Sequence, residues 1–104
     1  MRFDWDVRKS TENLRERGFD FEFATQIFEG VTLERTDTRR DYGETRVVAL
    51  GEAQGILLTV VYTDRAGGGE VERRIISARK SSRREREAYA KAIRKNQSGQ
   101  TGPR

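Results

Sequence analysis

The sequence predicts one small α+β domain: a short N-terminal strand, two short helices, an antiparallel meander of strands and a C-terminal helix. Three observations lead there. A chain of 104 residues is long enough to enclose one core and too short for two. Its apolar residues follow a 3.6-residue period near both ends and a two-residue or continuous pattern between. Glycines stand where one pattern gives way to another.

In "RFDWD" the aromatics Phe3 and Trp5 alternate with Asp4 and Asp6, the period of a half-buried strand. Asp6 can cap a helix that runs to Arg17 and stops at Gly18. Asp20 offers a second cap, followed by Phe23, Ala24, Ile27 and Phe28 on one helical face and Gly30 as the stop. Residues 31–34, "VTLE", predict a brief strand, and "RTDTRRDYGE" reads as an exposed loop. Then "TRVVALG" (45–51), "ILLTVVYT" (56–63) and "VERRIIS" (71–77) alternate with "EAQG" and "DRAGGGE", a meander whose middle strand is apolar throughout and therefore central. Ser82 and Glu85 stand at capping-box spacing before Ala88, Tyr89, Ala92 and Ile93 on one helical face. With helices expected on one face of the sheet, the fold is a two-layer sandwich. The domain is expected to span 1–95, with 96–104, "NQSGQTGPR", a disordered tail.

Composition excludes several functions. The chain has no cysteine and no histidine, so disulfides, thiolate zinc sites and the commonest general base are all missing. Its serines lack a histidine to activate them, and its acids are spread over caps and helix surfaces rather than paired as in a glycosidase. "GGG" at 67–69 is a turn tip, since neither a helix start nor the Lys-Ser/Thr of a phosphate loop follows it. No cofactor and no metal is expected. The N-terminus lacks the apolar run of a signal peptide, and nothing approaches the roughly 20 apolar residues of a membrane span; a cytoplasmic protein is expected.

The net charge of +4 conceals a division. Residues 1–70 hold 10 Lys+Arg against 14 Asp+Glu, and residues 71–104 hold 11 against 3, so the C-terminal third is the part suited to a polyanion or an acidic partner. Counted straight along the strand, Arg73, Ser77 and Arg79 share a face with Ile75, while Arg74, Ile76 and Ala78 share the other. Three strands can then bring Arg65, Arg79 and the Glu44–Arg46 pair to one site. Guanidinium groups hold phosphate in bidentate fashion and keep their charge, which suits RNA transesterification, where the 2′-hydroxyl of the substrate attacks and the phosphorane carries extra negative charge. Arginine is a poor proton acceptor. Glu44, Lys9 and Tyr89 are the candidates for the proton-handling roles, with Glu44 preferred as base. Lys9, Arg73, Lys80 and Arg83 are the expected RNA-binding residues, although Arg83, Arg84 and Arg86 also fit a solvated helix start with its own acid pairs.

The order "FDWD", Lys9 and Asn13, "RGFDFEFATQIFEG", "ETRVVALG", "LLTVVYTDR" and "RRIISARKSSRREREAY" resembles the BrnT family, toxins of type II toxin–antitoxin modules. The resemblance covers residues 3–89 and is most specific at "RIISAR" with the Glu-Arg and Tyr of the next helix. It implies a RelE-like fold, metal-independent endoribonuclease activity that arrests translation, and neutralisation by a BrnA-type ribbon-helix-helix antitoxin, with DNA engaged only through that complex at its own promoter. Matching positions are Lys9, Glu44, Arg46, Arg65, Arg79, Glu85 and Tyr89. The chain departs where relatives read Lys-His-Gly, here "ERG", and in a loop that often carries a histidine, here "TRRDYGE". That departure supports a second reading, a weakened toxin or a non-catalytic module that binds nucleic acid or an antitoxin through its basic face.

Overall fold

The computed structural model describes the backbone of Met1–Gln100 and the side chains of Met1–Lys95. It is an α+β domain of five strands and three helices. Strand β1 (Arg2–Trp5) leads into helix α1 (Val7–Arg17), helix α2 (Phe21–Ala24) and a 3₁₀ turn at Thr25–Glu29. Strands β2 (Leu33–Thr36), β3 (Val47–Ala53), β4 (Ile56–Gly67) and β5 (Glu70–Lys80) follow, and helix α3 spans Arg83–Gln100. Of the expected tail, 96–104, the first part to Gln100 continues helix α3, and residues 101–104 lie outside the described residues.

The caps form as their residue types require. Asp6 Oδ1 accepts from the backbone N–H of Arg8 at 2.9 Å, and Gly18 ends α1 at φ 87°. Asp20 caps α2 through Phe23 N–H at 2.8 Å. The buried face of α1 is polar: Ser10 Oγ accepts from Phe21 N–H and Asn13 Nδ2 donates to Phe19 O, each at 3.0 Å. These bonds fasten α1 to α2 where apolar packing is missing.

The sheet order is β1-β5-β4-β3-β2, with β4 central as its apolar run predicts and β1 parallel to β5. Both hairpins of the meander close on two residues with positive φ, Gln54–Gly55 and Gly68–Gly69, the geometry that matches the right-handed twist of paired strands. The second hairpin is longer than the sequence suggests, extending β4 to Gly67 and starting β5 at Glu70.

One irregularity decides which side chains share a face. Val61 pairs with Ser77 but Tyr62 pairs with Ile75, so Ile76 is the extra residue of a β-bulge. Val60, Tyr62, Ala78 and Ile75 therefore face one way with Ala49, and Thr59, Val61, Ser77 and Arg79 face the other with Val48 and Leu50. The core lies on the first face, where Phe19, Phe21, Ala24 and Ile27 pack onto Ala49, Leu58, Val60, Tyr62 and Ile75. Helix α3 lies on the second, since Glu85 reaches Thr59 and Arg79 there. The expectation of all helices on one face is corrected: apolar periodicity identifies the buried stripe of a helix, not the side of the sheet it meets.

Candidate active site

The bulge separates arginines that the sequence places together. Arg73 lies on the core face, its guanidinium 3.9 Å from the ring centre of Tyr62 and 4.7 Å from that of Phe28 in the 3₁₀ turn. Asp64 accepts from its Nε and Nη2, both at 2.8 Å. With its side chain 13% exposed, Arg73 is a packed structural cation, and the bond to Asp64 raises its pKa further. Tyr62 completes this cluster by donating to Glu34 at 2.6 Å, and burial pushes its pKa up.

Arg79 lies on the α3 face. Its Nη1 and Nη2 donate to the two carboxylate oxygens of Glu85 at 2.7 and 2.8 Å. Glu85 is held in turn by Ser82 N–H at 2.8 Å and the Thr59 hydroxyl at 3.1 Å, while its own N–H donates to Ser82 Oγ at 3.2 Å. This is the capping box of α3. The Arg79 guanidinium, reinforced by these donors against the cost of partial burial, lowers the Glu85 pKa to about 2, so this carboxylate stays ionised and serves to hold Arg79. Glu85 takes the end-on pair of the guanidinium, which leaves the Nε side of Arg79 without an acceptor among the described residues. On the β1 side Arg79 lines a cleft of about 290 Å³ together with Lys9 and Ser77.

A second group forms at the far end of the same face. Glu44 accepts from Arg46 Nε at 3.3 Å and lies 3.9 Å from Arg65 Nη2. The Arg46 guanidinium stacks 4.1 Å from the ring centre of Tyr42. The loop carrying these groups is built around Asp37, which is buried and accepts from the Arg39 backbone and guanidinium and, at 3.1 Å, from the Tyr42 hydroxyl. The Arg39 hydrogen bond holds the Asp37 carboxyl well below the usual range. Sequence reasoning missed Asp37, Arg39 and Tyr42; the signal was an Asp two residues before an Arg, the spacing of an Asx turn.

Glu44, Arg46 and Arg65 thus come together as expected, whereas Arg79 does not join them. Arg79 pairs with Thr59, and Arg65 follows Thr59 by six residues on β4, roughly 20 Å of strand. Tyr89 joins neither group: its hydroxyl donates to Val31 O at 2.8 Å and burial raises its pKa, so it tethers α3 to the start of β2. Lys80 is exposed at the end of β5, and Arg83 pairs with Glu87 one helical turn on, both exposed. Among the described residues no three acidic side chains gather as a metal-holding group, and no helix is long and apolar enough to cross a membrane.

The family model described as the ribonuclease toxin, BrnT, of type II toxin–antitoxin systems matches residues 5–85. No curated protein matches the chain.

Proposed function

Because the chain belongs to the BrnT family of ribonuclease toxins of type II toxin–antitoxin systems, we propose that it cleaves RNA without a metal, using Glu44, Arg46 and Arg65 for chemistry and Arg79 to hold the strand. The observation that carries this reading is a carboxylate set between two guanidinium groups, at 3.3 and 3.9 Å. In such a group Glu44 takes the proton of the substrate 2′-hydroxyl and the oxygen attacks the adjacent phosphorus. The 5′-oxygen leaves and takes up a proton, and the product ends in a 2′,3′-cyclic phosphate. Arg46 and Arg65 offset the charge that grows on the phosphorane. Stacking on Tyr42 and the bond to Glu44 fix Arg46 before substrate arrives, which lowers the ordering cost of binding.

The Nε side of Arg79 is suited to a second phosphate of the same strand, with Lys9 beside it. Cleavage of messenger RNA in this way arrests translation. The antitoxin that the family membership implies is, in this reading, a BrnA-type ribbon-helix-helix protein whose acidic segment covers the arginines. The absence of histidine favours one competing reading, a protein that binds RNA or its antitoxin without cutting. Incubation of the purified protein with RNA in EDTA, followed by end-group analysis, separates the two. New 2′,3′-cyclic phosphate ends are expected; intact RNA at every protein excess leaves the binding reading standing.

A further inference from the structure

A cleft of about 380 Å³ lies between the first turns of α3 and strands β2 and β3, apart from the core and from the group at Glu44, with Glu85 of the Arg79 pair at its edge. Its floor is apolar, formed by Leu33, Val48, Leu50 and Ala88. Val48 and Leu50 are buried, while Leu33 and Ala88 are exposed. Arg35 on β2 and Arg84 on α3 line it from opposite sides. Glu34 and Glu85 also border the cleft, but their carboxylates are held elsewhere, Glu34 by Tyr62 and Thr32 and Glu85 by Arg79, Ser82 and Thr59, so the charge offered to an occupant is that of Arg35 and Arg84.

We propose that this cleft is a nucleobase subsite for the RNA strand held by Arg79. The inference rests on the proposed RNA binding and names where one base of that RNA goes. A base has apolar faces and a polar edge, which is how the cleft is built: aliphatic floor, charged rim. A volume of this size falls within the range of small-molecule pockets. Arg35 and Arg84 meet the phosphates on either side of the base. A purely apolar protein segment would leave both arginines without partners at the contact.

Binding of uncleavable 2′-O-methyl tetraribonucleotides tests this directly. Tetramers of A, C and U, and versions of each with one residue made abasic, are titrated against the protein by fluorescence anisotropy. Removal of the base at one position is expected to weaken binding about tenfold, and removal elsewhere to matter little. Ala88→Phe fills the cleft from an exposed helix position and is expected to abolish the difference between intact and abasic tetramers. Ala90→Phe, the same change two residues along α3, is expected to bind as the parent does. Equal binding of intact and abasic tetramers, no binding of any tetramer, or an unchanged difference in Ala88→Phe overturns the subsite. Base-dependent binding by a protein that leaves RNA intact in EDTA keeps the subsite and removes the catalytic reading, whereas cleavage without base dependence removes the subsite alone.

Discussion

Arg73 and Arg79 are six residues apart on one strand and each grips a carboxylate in bidentate fashion, at 2.8 Å for Asp64 and 2.7 to 2.8 Å for Glu85. Their surroundings make them different residues. Arg73 is pressed against aromatic rings and almost closed to solvent, so truncation leaves a hole beside Tyr62 and Phe28. Arg73→Ala is expected to cost about 2–4 kcal/mol of stability, read as a lower urea midpoint. Arg79 is half-exposed and spends only one side of its guanidinium on Glu85, which suits it to a substrate. The pair also predicts a pH effect. Glu85 has its pKa depressed from 4.5 to about 2, so its contribution is present above about pH 4.5 and is lost as pH falls toward 2. The loss is on the order of 1 kcal/mol, given the solvent around Arg79. Thermal melts between pH 5 and 2 are expected to show this contribution in the parent and not in Glu85→Gln.

At the scale of elements, the capped helices, the capping box and the central strand were all legible, because each depends on residues close in sequence. Asp6, Gly18, Asp20, Ser82 and Glu85 act within four positions of where they stand. The bulge at Ile76 was not legible. Nothing local distinguishes "RIIS" from a regular strand; the extra residue shows only when β5 is paired with β4. Straight alternation therefore set Arg73 beside Arg79, and the bulge sends them to opposite faces. The proposed catalytic grouping was half legible for a similar reason. Glu44 and Arg46 are sequence neighbours, and Arg65 meets them through the pairing of β3 with β4, but how far Arg79 lies along β4 depends on register. The packing of the 3₁₀ turn on β3 gives another test. A Cβ at Gly51 would stand 2.8 Å from the Ile27 Cβ and 3.1 Å from Thr32 Cγ2. Gly51→Ala is expected to cost about 1–3 kcal/mol by overpacking, measured by chemical denaturation.

For the whole molecule, the acidic first two-thirds and the basic last third resolve into a scaffold that supplies most of the core and a strand-helix unit that supplies Arg79 and the charges of α3. The proposed RNA binding through Arg79, Arg46 and Arg65, with Arg35 and Arg84 at the proposed base subsite, amounts to five phosphate contacts. The logarithm of the binding constant is then expected to fall with the logarithm of salt at a slope of about −3.5, and Arg79→Ala to make that slope shallower by about 0.7. The division of labour along the sheet face, chemistry at Glu44 and strand-holding at Arg79, is tested most directly by steady-state cleavage of one RNA substrate in EDTA by the parent, Glu44→Gln and Arg79→Ala. Loss of a proton acceptor is expected to lower kcat about 10²-fold or more with KM nearly unchanged, while Arg79→Ala raises KM and largely spares kcat. A Glu44→Gln variant that cleaves as fast as the parent would contradict the assignment.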